Sequence, residues 1–376
     1  MFRLLRMMLG LGVFNPELFI EAALNHLERN YSDIDCAIAC ISGGVDSVTT
    51  ALIAKRALKD KVLPVFIDTG LMRYGEPEAV KNALSGVIDL TIYDYSNSIV
   101  SNLSGLSDAE EKRKVFRDLF YSAVSNVARR HGCSYVVQGT TKADVVETLG
   151  GVKTQHNVLT QELLLKYGVK VIEPLRDLYK YEVKALAYYL GLPSSIVQRQ
   201  PFPGPGLLIR AVGKFHVDKL SLVRYATKIV DERLSVRNYS QYFPAVWEYD
   251  VINEGYLGNS LFKVFSVKTT GVVGGSRVYG HPILIEDFNK RDVVKLHEQF
   301  DVVKHPHILI SLASKDSGKY FIAVRVVETR DYVTASVPVI ERSLLLKLAE
   351  ELLENPDVKA VGYDVTPKPP ATIEYE

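Results

Sequence analysis

The residues best suited to chemistry stand together near the start of the chain. The apolar run Ile38-Ala39-Cys40-Ile41 breaks into Ser42-Gly43-Gly44 and restarts as an expected helix, Val45 to Leu58, with Asp46 and Ser47 in its first turn. Paired glycines at a strand end let the backbone turn tightly. The helix that follows offers unpaired N–H groups and the positive end of a dipole to an anion. The Ser42 and Ser47 hydroxyls add donors, and the Asp46 carboxylate suits a magnesium ion that accompanies phosphates. The stretch reads as a phosphate cradle, with a glycine turn kept for packing as the plainer alternative. The G-x-x-x-x-G-K-[ST] lysine is missing, which excludes the cradle of an ordinary kinase or GTPase.

Such a cradle needs a strand and a helix to hold it, and the surrounding pattern supplies them. Asn15-Pro16-Glu17 reads as a helix start, with Ile20, Ala23, Leu24 and Leu27 as its apolar stripe. Further strands are predicted at Val62–Asp68, Leu90–Tyr95, Tyr135–Gln138 and Val169–Ile172. Helices are predicted at Glu76–Leu84, Asp108–His131 and Tyr179–Leu190, the last ended by Gly191 and Pro193. Continuous apolar strands alternating with helices predict an α/β domain with a doubly wound parallel sheet, which places ligands at the carboxyl ends of the strands. Asp68, Thr69 and Gly70 end the second strand at that edge, in what is otherwise a plain turn. Asp144 and Glu147 stand three apart, on one face of a helix if one forms there, as a shared metal site or a solvated acidic face.

Gln200-Pro-Phe-Pro-Gly-Pro-Gly206 is too rich in proline and glycine for a regular element, and the pattern changes after it. The expected domains are therefore 15–200 and 201–376, with residues 1–14 as an N-terminal extension. Beyond the boundary, a helix from Val217 to Leu234, several β-rich runs and a helix from Ile340 to Leu353 predict a smaller α+β domain. His307–Ala313 and Tyr320–Val327 flank Lys315-Asp316-Ser317-Gly318 like the arms of a hairpin, and Ala360–Val365 with Ala371–Tyr375 reads as a final strand pair.

Composition removes several function classes. The chain has 376 residues, and 45 basic against 44 acidic residues give a net charge of +1, which argues against bulk attraction to nucleic acid or an anionic membrane. No segment approaches a membrane span, and the short apolar run Met7–Phe14 lacks the small-residue cleavage site of a signal peptide. Cys36, Cys40 and Cys133 are odd in number and without metal-ligand spacing. Buried thiols in a reducing cytoplasm fit them best.

The string SGGVDS at Ser42–Ser47 resembles the PP-loop of the ATP pyrophosphatase family. In that family the loop grips the β- and γ-phosphates that leave as pyrophosphate, and relatives make NAD, asparagine, argininosuccinate and thiolated tRNA. Other blocks narrow the choice. VFIDTGLMRYGEPE at Val65–Glu78, EEKRK at Glu110–Lys114, QGTTKADVVET at Gln138–Thr148 and KTQHNV at Lys153–Val158 run in order. IEPLRDLYKYEV at Ile172–Val183, RQPFPGPGLLIRAVG at Arg199–Gly213 and DVTPKPPATIEYE at Asp364–Glu376 complete the series. From Phe19 to Glu376 the sequence is similar to the ATP pyrophosphatase and dimerisation portion of the GMP synthase family. The glutamine amidotransferase domain that precedes this portion in single-chain members is missing, as in the synthetase subunit of the two-subunit type common in archaea.

The resemblance implies amination of xanthosine monophosphate (XMP) to GMP through an adenylyl-XMP intermediate, with ATP and Mg2+ as cofactors. Ammonia would come from a separate glutamine amidotransferase subunit, and the second domain would mediate a homodimer. It further implies that Ser42, Gly43, Gly44, Val45, Asp46, Ser47, Asp68, Thr69 and Gly70 bind ATP and pyrophosphate, and that Asp46, Asp144 and Glu147 hold the metal. Arg113, Lys368, Thr372, Ile373 and Glu374 would bind XMP. Lys153 and His156 would act catalytically with Asp46, from a lid that closes over the reactants. The sequence departs from the family where the lid reads Gln155-His156 in place of two histidines. It departs again where the G-V-Q-G-D-x-R loop carries Val273 and Gly275, and in a segment at about 279–317 that the family lacks. These departures leave a second reading, a synthetase-derived nucleotide-binding regulatory or assembly protein without turnover.

Overall fold

The structure is a computed structural model that describes residues 14–142, 144–145, 166–237, 239–286, 298–330 and 332–376. It divides into two compact units: residues up to Gly70, Gly75–Ile99 and Phe116–Gly204 form the first, and Leu71–Tyr74, Val100–Val115 and Pro205–Glu376 the second. Two short segments from the first half of the sequence thus pack with the second.

In chain order the first half carries α1 (Pro16–Tyr31), β1 (Ala37–Cys40), α2 (Val45–Leu58), β2 (Val62–Asp68), α3 (Glu76–Ala83) and β3 (Thr91–Asp94). Then follow α4 (Ser96–Leu103), α5 (Ala109–Arg130), β4 (Tyr135–Val137), β5 (Lys170–Ile172), α6 (Lys180–Tyr189) and α7 (Ser194–Val197). Asn15 caps α1 by accepting from the Leu18 N–H, and Pro16 fills the first helical position. All pairings of the first sheet are parallel, in the order β3-β2-β1-β4-β5. The predicted doubly wound parallel sheet is therefore observed. The strand order reverses at β1, with β2 on one side and β4 on the other, and sheets of this kind place ligands at the carboxyl ends of the strands beside such a reversal. Ile38, Val65, Ile67, Val124, Val127 and Val136 make the core beneath.

One expectation fails here. Cys36 and Cys133 are joined by a disulfide, with a Cα–Cα distance of 4.6 Å, and only Cys40 is free. The parallel register of Ala37 against Tyr135 brings the residues just before the two strands side by side. That neighbourhood arises from pairing across 97 residues, so cysteine spacing alone could not show it. Burial pushes the Cys40 thiol up to about 12.

The second unit is α+β. After α8 (Val217–Leu234) come β6 (Gln241–Glu248), β7 (Val251–Leu257), β8 (Ser260–Phe265), β9 (Thr269–Val273), β10 (Ser276–Gly280) and β11 (Ile283–Ile285). β12 (Ile308–Ser314), β13 (Tyr320–Val327), α9 (Arg342–Leu353) and β14 (Val358–Asp364) follow. Seven strands form one mixed sheet, β6-β13-β14-β12-β11-β8-β7, and β9 with β10 forms a separate hairpin. Its core is aromatic: the Trp247 ring centroid lies 4.9 Å from that of Phe321 and 5.4 Å from that of Tyr375.

The predicted hairpin at Lys315–Gly318 is not formed. β14 inserts between its arms, antiparallel to β12 and parallel to β13. The expected final strand pair is also absent. Residues 371–375 run as irregular backbone with a single bridge, and the Thr372 and Ile373 carbonyls that a ladder would use are taken by the Arg325 side chain.

Candidate active site

In the first unit the loop after β1 is drawn tight by its own hydroxyls. The Ser42 N–H donates to Ser47 Oγ at 3.2 Å, the two serine oxygens lie 3.2 Å apart, and Ser47 Oγ donates to the Gly44 carbonyl at 2.9 Å. Gly43 takes φ +80°, a left-handed conformation that glycine adopts without strain. Gly44 is the N-cap of α2 and brings no side-chain acceptor to it. The first N–H groups of α2 are thus left to an anion. Val45, Asp46 and Ser47 form that first turn.

Two neighbours fix the loop from either side. Gly139 follows β4, and a Cβ there would stand 2.8 Å from the Asp46 carbonyl carbon and 2.9 Å from the Ser47 nitrogen. On the other side, Arg199 Nη1 donates to the Gly43 carbonyl at 3.4 Å while Nη2 pairs with Glu76, whose side chain is only 3% exposed. The cation that a Walker lysine would supply is absent from the loop, yet Arg199 and Lys180 bring positive charge to it from other elements.

Asp46 Oδ2 accepts from Lys180 Nζ at 3.1 Å, and Oδ1 is buried with no protein partner. An orphaned carboxylate oxygen beside an anion cradle fits a hard divalent cation. Asp68 Oδ1 accepts from the Gly70 N–H at 2.8 Å, which closes a tight turn over buried Thr69 at the end of β2. Asp144 Oδ2 accepts from both the N–H and the hydroxyl of Thr141, at 2.9 and 2.7 Å, so part of its acceptor capacity serves the local turn. Glu147, Lys153 and His156 lie outside the described residues. Among the described residues, no group of three His, Cys, Asp or Glu side chains converges on a metal position.

In the second unit the Lys368–Tyr375 tail has little regular structure, and its shape is imposed by one guanidinium. Arg325, fully buried on β13, donates to the carbonyls of Thr366, Thr372 and Ile373 at 3.1, 2.8 and 2.9 Å. Asp364 balances it at 2.8 Å and also meets His307 and the Tyr375 hydroxyl. Burial opposes the Asp364 charge, but Arg325 and His307 outweigh it and hold the carboxyl far below its usual range. The β9–β10 hairpin straps the tail from outside, with the Val272 N–H on the Pro370 carbonyl at 2.7 Å and a bridge between Gly271 and Ala371.

The predicted substrate residues of this unit are each engaged by the protein itself. Glu374 takes a two-pronged bond from buried Arg210, at 3.1 and 2.9 Å, and a third from Gln241 at 3.0 Å. Thr372 Oγ1 donates to the Thr270 carbonyl at 2.7 Å, Ile373 packs into the core, and Lys368 Nζ donates to the Tyr332 carbonyl. Arg113 Nη1 donates to Glu110 Oε1 at 2.9 Å, and burial lowers its pKa from the usual arginine value. Gly274 and Gly275 hold φ +59° and +79° in a two-residue hairpin turn. The departure at Gly275 therefore serves a tight left-handed turn.

Sequence reasoning gave no role to Gly139, Lys180, Arg199, Arg210, Gln241 or Arg325. Gly139, Lys180, Arg199 and Arg210 stand inside blocks that carry the family resemblance, but nothing local singles them out within those blocks.

Two family models match, one described as NAD synthase over residues 19–205 and one as GMP synthase C terminal domain over residues 296–375. A glutamine-hydrolyzing GMP synthase subunit from Saccharolobus solfataricus is 44% identical over 371 residues, spanning 97% of this chain and 100% of its own. The chain belongs to the GMP synthase family. The corresponding GMP synthase subunits of Sulfurisphaera tokodaii and Methanocaldococcus jannaschii are 43% and 36% identical, over 96% and 97% of this chain and 100% of theirs. The NAD synthase model spans the Ser42–Ser47 loop, and the GMP synthase C terminal domain model spans the Lys368–Glu374 tail. No helix among the described residues is long and apolar enough to cross a membrane.

Proposed function

We propose that this protein is the synthetase subunit that converts XMP, ATP and ammonia to GMP, AMP and pyrophosphate. The observation that carries the reading is the match over 97% of the chain to a GMP synthase subunit, joined by family models that span the Ser42–Ser47 loop and the Lys368–Glu374 tail.

The physical difficulty is that the oxygen at C2 of the base is a poor leaving group. Attack by that oxygen on the α-phosphorus of ATP makes it part of AMP, and pyrophosphate departs. Ammonia then adds at C2 and expels AMP. Catalysis of this kind rests on positioning and on neutralising phosphate charge. The open N–H groups of α2, the Ser42 and Ser47 hydroxyls, Arg199 and Lys180 receive the departing pyrophosphate, and Asp68, Thr69 and Gly70 form the turn for the adenosine. Asp46, through its orphaned oxygen, would hold magnesium together with Asp144 and Glu147, and the ion would supply charge neutralisation at the phosphates. Arg113, Lys368, Thr372, Ile373 and Glu374 take XMP, with the lysine suited to a phosphate and the Glu374 carboxylate to a purine N–H. Lys153 and His156 serve from a lid that shields the adenylyl intermediate from water.

The ammonia source is a separate glutamine amidotransferase subunit, the working unit is a homodimer through the second unit, and the location is the cytoplasm. The test is an assay of the purified chain with XMP, ATP, magnesium and ammonium. GMP should form, and glutamine should replace ammonium only when the amidotransferase subunit is added. Nucleotide binding without GMP at any ammonium concentration would instead favour a regulatory or assembly role.

A further inference from the structure

His307 stands just before β12, fully buried, and both of its ring nitrogens meet acceptors. Nδ1 lies 2.6 Å from Asp364 Oδ2, and Nε2 lies 3.0 Å from the Thr270 carbonyl oxygen. A carbonyl has no proton to give. Neither has Asp364 Oδ2, which already meets Arg325 Nη1 and the Tyr375 hydroxyl at 2.8 Å each and belongs to a carboxyl held far below its usual range. A neutral imidazole carries one N–H, so it can serve only one of these two acceptors. The observed pair of contacts is that of the imidazolium. The groups that face the ring are Asp364 at the end of β14, Arg325 on β13 and Tyr375 on the tail, whose ring centroid is 4.4 Å away. Two cations against one buried carboxylate are costly. Burial lowers the affinity of His307 for its second proton below the ordinary histidine value, Asp364 works against that fall, and Arg325 adds to it.

The Thr270 carbonyl carries the effect of this proton to the substrate residues. It also takes the Thr372 hydroxyl at 2.7 Å and the Thr372 N–H at 3.4 Å, and the Thr270 N–H holds the Tyr375 carbonyl at 2.8 Å. β9 thus grips the tail on both sides of Ile373 and Glu374. When the ring keeps a single proton, that proton stays on Nδ1, where the carboxylate is the stronger acceptor. The Nε2 lone pair then faces the Thr270 carbonyl, the contact turns repulsive, and the grip on Thr372 loosens. We propose that His307 is a positioning residue for the nucleotide substrate: as imidazolium it bonds Asp364 and Thr270 at once and fixes Thr372, Ile373 and Glu374 for XMP, so that binding XMP draws a proton onto the ring. The inference rests on the XMP reading above and adds a proton to the binding step. The proton is lost as pH rises through a value below the ordinary histidine range, and by linkage XMP affinity falls with it.

The test is calorimetric binding of XMP to the full chain and to His307→Gln from about pH 5.5 to about pH 8, in buffers of different ionisation enthalpy. The phosphate of XMP itself titrates at about pH 6, so the readout is the difference between the two proteins. The wild type should take up more protons than His307→Gln and lose about fivefold to tenfold more affinity across that range. Selective 15N labelling of the histidines reads the ring directly, and decides alone if the variant does not fold. In the XMP complex at about pH 7, His307 should show two ring N–H signals. Equal proton uptake in the two proteins, or a single N–H on His307 in the complex, would overturn the proposal while leaving XMP as the substrate. If the wild type ignores XMP, the functional reading falls. The free chain then reads the clamp: a second His307 N–H gained as pH falls to about 5 supports it, and a ring that keeps a single N–H overturns it.

Discussion

A methyl group on Gly139 would stand 2.8 Å from the carbonyl carbon of Asp46. Backbone of β4's outgoing turn therefore touches backbone of the cradle, and neither side can yield by rotating a side chain. Gly139→Ala must displace the first turn of α2, and a shift approaching 1 Å at reacting groups costs on the order of a hundredfold. The expected result is a fall of that size in kcat/KM for ATP with XMP binding intact, measured by steady-state kinetics and calorimetry. Unchanged ATP kinetics would show that the cradle tolerates the displacement.

Arg199 and Glu76 offer a separate handle. Removing Arg199 leaves a carboxylate that is 3% exposed without its cation, at a cost of about 3 kcal/mol. Arg199→Ala should therefore lower stability more than the Arg199→Ala, Glu76→Gln pair does, while both raise the inhibition constant for pyrophosphate. Denaturant titration reads the first effect and product inhibition the second. A pair as unstable as the single variant would mean that the ion pair is incidental.

The cradle was legible because its signal is local: glycine, serine and aspartate types within six positions determine a turn and a helix start. The parallel sheet was legible because buried strands read as continuous apolar runs. Contacts across long separations were not. Gly139 looks like any glycine until β4 is placed beside β1, and Arg325 looks like an ordinary strand residue until the tail wraps around it. The false hairpin at Lys315–Gly318 has the same cause, since nothing between Ile308 and Val327 announces that Val358–Asp364 will insert. The tail was recognised through its family likeness, whereas its irregular path follows from the Arg325 bonds.

The disulfide between Cys36 and Cys133 closes a loop spanning 97 residues of sequence. By the chain-entropy argument such a loop contributes about 4.7 kcal/mol to stability, and removal of native disulfides costs about 2–5 kcal/mol. Cys133→Ser should lower the denaturation midpoint by a matching amount. Reductant should destabilise the wild type and leave the variant unaffected. A wild type indifferent to reductant would argue that the bond contributes nothing.

In the proposed reaction Asp46 would hold magnesium beside the cradle. Asp46→Asn keeps the shape and removes the charge, so the fold should survive while adenylation falls by about two to three orders of magnitude. The magnesium concentration for half-maximal activity should rise in parallel. Circular dichroism and a magnesium titration of pyrophosphate release check both. A variant with full activity at unchanged magnesium demand would remove Asp46 from the metal site.

In the proposed reaction the base oxygen attacks the α-phosphate and leaves with AMP. XMP labelled with 18O at the C2 oxygen, turned over with ATP, magnesium and ammonium, tests it in one mass spectrum. The label should appear in the phosphate group of AMP, with pyrophosphate unlabelled. Label in pyrophosphate or in water, with GMP formed, would rule out that attack.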